Sequence, residues 1–167
     1  MICPKCHQPV QIAAGDCCPL CGFRLRPYRQ RLQTIYTLGF VFFASTLIYS
    51  ILVYFLDTRG VVRPLALPAV VPYVALVVAV LNLGLARRVG PPLEQLKTMA
   101  QLQQVFVLRM ALVEAAAVLG VVMYVLTASL PWFVTFLAIS WGGFLVVGSQ
   151  MPHLGQRLAE LAVAEAE

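Results

Sequence analysis

Residues Thr34–Leu56 read TIYTLGFVFFASTLIYSILVYFL. The run holds no charge, and its length exceeds the roughly 20 residues that a helix needs to cross a bilayer. It is too long for the apolar core of a cleaved signal, so it is expected to stay as an anchor. Three more apolar stretches follow, near 69–86, 105–127 and 131–150. Pro72 fits a first-turn position in the second, and Pro131 and Trp132 stand where the fourth begins. The whole chain agrees with lipid as the main solvent. Of its 167 residues 60% are hydrophobic and only 11% charged, with a mean hydropathy of +0.84. Soluble domains carry about a quarter charged residues.

The net charge of +5 does not point to nucleic acid, because most basic residues flank apolar runs and no basic-aromatic platform is present. Their placement does give an orientation. Lys5, Arg24, Arg26, Arg29 and Arg31 precede the first span, Arg87, Arg88 and Lys97 lie between the second and third, and Arg157 lies in the tail. Only Arg59 and Arg63 lie in the other loops. Nine against two predicts that both termini are cytoplasmic. Two flanking pieces are expected to be helices that cover the bundle's ends. One repeats Leu93, Leu96, Met99, Ala100 and Gln103, with Glu94 in its first turn; the other repeats Leu154, Leu158 and Leu161.

The organisation expected is a cysteine head at 1–26, a basic linker at 27–33, a transmembrane region at 34–150 and a cytosolic tail at 151–167. All five cysteines lie in the head. It contains Cys3-Pro4-Lys5-Cys6-His7 and then Cys18-Pro19-Leu20-Cys21-Gly22, an internal repeat that leaves Cys17 outside. Two residues between cysteines let one tight turn aim both sulfurs at one ion. Two such turns supply four thiolates: Cys3, Cys6, Cys18 and Cys21, a closed tetrahedral site suited to a structural Zn²⁺. A head this short cannot bury enough apolar surface to fold alone, so the metal would supply its folding energy. Val10 and Ile12 suit a short strand, and Phe23 and Leu25 its partner, giving a minimal β ribbon. The fold class expected is therefore mainly α, a four-helix transmembrane bundle with a small N-terminal β zinc ribbon. Disulfides would need an oxidising compartment. An iron centre of rubredoxin type uses similar turns but a larger aromatic shell, and the repeat argues against His7 as a ligand.

These residues resemble the zinc-ribbon family, in particular the short N-terminal CPxC…CPxCG ribbons of bacterial membrane proteins. The resemblance covers about residues 1–25 and holds all four of that pattern's ligand positions. It implies a structural zinc, a contact role, and a multi-pass protein of the bacterial inner membrane.

Within the spans, three polar residues stand out: Asn82, Arg109 and Glu114. Arg109 lies about a turn from the cytoplasmic end, where it can snorkel to the headgroups or meet Asn82 across a helix pair. Glu114 falls near the midplane, roughly 14 Å past Val105. An ionised carboxylate is costly there, so it is expected to be protonated, paired or beside water. A tight hairpin of the third and fourth spans would set it opposite Trp141–Phe144, where small residues permit close approach. The string ALVEAAAVLG also resembles the carboxylate helix of the proteolipid rotor-ring subunits of rotary ATPases, although the glycine-repeat helix that packs beside that carboxylate is missing. That resemblance implies a proton or sodium carrier at Glu114.

No nucleotide loop, Ser-His-Asp set or carboxylate pair is present, so no enzyme is expected. The function expected is a non-enzymatic interaction or assembly protein. Its partners are the lipid bilayer and a protein at the cytosolic ribbon. The alternative is proton or ion translocation centred on Glu114 in a homo-oligomer.

Overall fold

The structure, a computed structural model, describes residues 3, 5–6, 8, 17–89 and 95–164. Five helices follow one another: α1 (Leu25–Thr58), α2 (Val70–Arg88), α3 (Met99–Thr127), α4 (Leu130–Gly148) and α5 (Met151–Ala164). The first four are long and apolar enough to cross a membrane. The fifth is shorter and amphipathic, with Leu154, Leu158 and Leu161 buried against the rest.

The helix ends have local causes. Thr98 caps α3, its hydroxyl accepting from the Gln101 N–H at 3.2 Å. That cap places the start of α3 at Met99, so Leu96 of the expected flanking helix lies before it, buried. Leu93 and Glu94 fall outside the described residues. The hairpin between α3 and α4 turns on Ala128 in the left-handed region (φ 51°), with Ser129 and Pro131 opening α4. After α4, Pro152 has no N–H to continue the ladder, and α5 starts as a new helix.

α3 is the centre of the bundle and packs against all four other helices. Small residues permit this. A Cβ at Gly120 would stand 2.8 Å from the Phe136 Cβ and 3.3 Å from the Phe133 carbonyl oxygen. One at Gly143 would stand 2.7 Å from a Val113 methyl. Each glycine lets the facing helix come closer than any side chain would allow. The loop before α2 is tied to the same hub, Leu65 N–H donating to the Leu126 carbonyl at 2.9 Å.

One expectation needs correction, and another is not shown. Residues 27–33 are not a linker but the first turns of α1. Leu25, Tyr28, Leu32 and Ile35 recur at helical spacing and join a cluster with Phe106, Leu158 and Leu161. Their burial outweighs the basic residues between them, which stay exposed. The expected β ribbon is not shown, as no strand is present among the described residues. Cys17 and Arg24 make an isolated antiparallel bridge, Leu25 belongs to α1, and Val10 and Ile12 lie outside the described residues.

Replacing Gly120 with Ala should lower the unfolding free energy in detergent by about 1–3 kcal/mol, because backbone and Cβ atoms oppose the added methyl. Gly142→Ala, which meets no atom within 4 Å, should leave stability unchanged or raise it. Thermal melts followed by circular dichroism separate the two, and equal losses would refute the close-approach account.

Candidate metal centre

The head repeats itself in the backbone as well as in the sequence. The Cys3 N–H donates to the Gln8 carbonyl at 3.0 Å, and the Cys18 N–H donates to the Phe23 carbonyl at 2.8 Å, the same five-residue step. In the second turn the Gly22 N–H donates to the Cys18 carbonyl at 2.9 Å. Gly22 has φ +70°, a conformation in which a Cβ would be strained.

Two such turns face one another. The sulfurs of Cys3, Cys6, Cys18 and Cys21 lie within 4.8 Å of each other. Cys3 Sγ is 3.6 Å from Cys21 Sγ, and Cys6 Sγ is 3.7 Å from Cys18 Sγ. Mapping each half on the other turns the first pair into the second, so the cluster is close to twofold symmetric. A tetrahedral ion with metal–sulfur bonds of about 2.3 Å needs sulfurs about 3.8 Å apart. The four thiols therefore fit one metal ion, with Cys3, Cys6, Cys18 and Cys21 as the residues that would hold it. Cys17 points to solvent and lies outside the cluster.

Charge is already unevenly shared among the thiols. Burial opposes ionisation of Cys18, but the N–H groups of Leu20 and Cys21 outweigh it and bring that thiol down to about 7. At Cys21 the Phe23 N–H favours the thiolate, yet burial and the neighbouring sulfurs push it up to about 12. At Cys6 the Gln8 backbone favours the thiolate, and burial with the Cys3 and Cys18 sulfurs again wins, raising it. The second turn's N–H groups thus favour a thiolate at Cys18, while the crowding of sulfurs disfavours one at Cys6 and at Cys21.

The head does not stand apart from the bundle. Cys3, Cys18 and Phe23 are buried in the same cluster as Met99 and Leu102 of α3 and Leu158 and Leu161 of α5. Beside it, Arg31 of α1 donates to the Gln103 side chain of α3 at 2.9 Å.

The polar residues deeper in the bundle go to different partners. Arg109 is buried, its Nε donating to the Val89 carbonyl at 3.2 Å and its Nη1 to the Gln150 side chain at 2.9 Å. Those acceptors stand just past the C-termini of α2 and α4, where helix dipoles favour a cation. Through these bonds Arg109 joins α3 to the ends of α2 and α4. It makes no hydrogen bond to Asn82, which is half-buried on α2. Glu114 faces α1, not the Trp141–Phe144 stretch. One of its oxygens, Oε1, accepts from the Ser45 hydroxyl and from the Tyr49 hydroxyl, the latter at 3.0 Å. The reason is the 100° step between helix neighbours. Val113 packs against Gly143, and Glu114 is turned away from it. Trp141 instead donates its indole N–H to Thr46 at 3.1 Å.

Ser45, Tyr49, Thr46 and Gln150 were not expected. Ser45 and Tyr49 lie four apart on one stripe of α1, a spacing visible in the sequence once a buried carboxyl needs donors. Gln150 carries no such signal. No protein-family model matches the chain, and neither a curated protein nor a solved structure does.

Metal binding must expel the protons of at least Cys6 and Cys21, whose thiols are raised. Lower pH therefore weakens binding. Between pH 7 and 8 apparent affinity should rise by at least about 100-fold, roughly tenfold for each of those two protons and more for any further thiol proton released. Competition against a chromophoric chelator measures the slope, and a tenfold change or less would contradict the thiol assignment.

Proposed function

We propose that this chain is an integral membrane protein whose N-terminal four-cysteine site holds a structural zinc, and that it acts as a non-enzymatic interaction or assembly protein. The four-thiol geometry carries this reading. Four protein sulfurs complete a tetrahedral shell and leave no position for water or substrate, which suits a structural ion rather than a catalytic one. Thiolates persist in a reducing compartment, and the excess of Lys and Arg on one side favours a cytoplasmic head. The zinc-ribbon resemblance supports zinc and a bacterial inner membrane. Pro19 and Leu20 form the exposed tip of the second turn, and Leu20 is 68% exposed, an apolar side chain held out by a rigid knuckle. We take that side chain as the contact point for the partner.

The test compares two variants in mild-detergent pull-downs read by mass spectrometry. Leu20→Glu should lose the partner while retaining one zinc per chain. Cys6→Ser with Cys21→Ser should lose both. A partner retained by both variants, or no partner with the wild-type chain, would refute the contact role.

A second reading is proton or ion translocation centred on Glu114, with the chain self-assembled. The convergence of Ser45 and Tyr49 on its carboxyl favours this reading, because the three groups gather oxygen atoms at one point of the α1–α3 contact. Glu114→Gln in reconstituted vesicles should abolish proton or sodium flux that the wild-type chain supports. Equal flux in both, or none in either, would remove this reading.

A further inference from the structure

A groove with a volume of about 460 Å³ lies between α1 and α4. Tyr36, Phe40 and Phe43 form one wall, Phe144 and Leu145 the other, and Met110 of α3 lies at its base. Gly39 stands at the base, where a Cβ would come 3.4 Å from the Met110 methyl, 3.5 Å from the Met151 methyl and 3.6 Å from the Phe106 ring. The far end is closed where Trp141 bonds Thr46 and packs on Phe43, ring centroids 6.2 Å apart. Phe40 and Leu145 are 70% and 76% exposed, so the groove is open on its outer side.

Its length fits within one leaflet. Tyr36 to Phe43, the part of α1 that lines it, rises about 10 Å, against about 15 Å for half of a hydrocarbon core about 30 Å thick. Toward the head the same stripe of α1 becomes polar: Gln33 lies about a turn before Tyr36, and Arg29 two turns before it. The Arg29 side chain is exposed and makes no ion pair or hydrogen bond among the described residues. An apolar groove, a phenol at its mouth and an exposed cation beyond are arranged in the order of a lipid's chain, interface and phosphate.

The geometry points to a binding site for one anionic phospholipid, with an acyl chain in the α1–α4 groove and the phosphate at Arg29. The inference rests on the reading that α1–α4 cross a bilayer. Retention of the chain in carbonate-washed membranes tests that reading separately.

Native mass spectrometry of the full chain in detergent, titrated with phosphatidylglycerol or phosphatidylcholine of identical acyl chains, tests the site. Wild type should prefer phosphatidylglycerol roughly fivefold, the worth of one basic residue at an anionic surface. Arg29→Gln should reduce that preference to about one while chain binding persists. Leu145→Trp, which crowds the groove, and Phe40→Ser, which makes its wall polar, should each lower the occupancy of both lipids. Equal binding of the two lipids by wild type would overturn the headgroup assignment. Wild-type occupancy in both groove variants, with melts showing them folded, would overturn the groove.

Discussion

The approach of α3 to α4 at Gly120 and Gly143 positions most of what else the bundle holds. With a side chain at either point the two helices would be forced apart. Together, α3 becomes a post on which α1, α2 and α5 also pack. Apolar surface cannot hold helices together in lipid, since lipid tails are as apolar as the side chains themselves. Association there relies on close fit and on hydrogen bonds between helices. Both occur around α3. Glycines permit the fit, and Arg109, Glu114 and Tyr124 supply bonds to Gln150, Ser45 with Tyr49, and Asp57.

The same post carries the head. α1 is continuous as far as Leu25, and the N-terminal turns of α3 lie beside it, where Arg31 bonds Gln103. α5 folds back against both, and its leucines close a cluster that reaches Cys3 and Cys18. A metal held by the four thiols would be set into the end of the bundle rather than hung from a tether. The head is too small to bury a core of its own, and it borrows apolar neighbours from α1, α3 and α5. Order at the metal site and order at that end of the bundle are therefore coupled through shared packing.

Much of this was legible before the fold was seen. Four uncharged or nearly uncharged runs correspond to four helices, because a long apolar segment has few other ways to satisfy its backbone in lipid. The Cys-Pro-x-Cys repeat selected the four sulfurs that come together, because two like turns can meet symmetrically around one point. The stripe of Leu154, Leu158 and Leu161 marked a helix that buries one face. The segment 27–33 was harder. Its arginines suggest a solvated connector, while the weaker signal at Leu25, Tyr28, Leu32 and Ile35 shows a helix continuing to the head.

By itself, the sequence determined the number and approximate extent of the apolar helices and the cysteines able to share an ion, because length, hydropathy and local spacing act within a segment. Only the tertiary structure decided the partners. Glu114 meets Ser45 and Tyr49, not the α4 hairpin, because its neighbour Val113 already occupies the place against Gly143. Arg109 meets the ends of α2 and α4, not Asn82, because those ends bring backbone and amide oxygens to its depth. Which face of a helix meets which neighbour depends on rotation about its axis, and packing across the whole bundle sets that rotation.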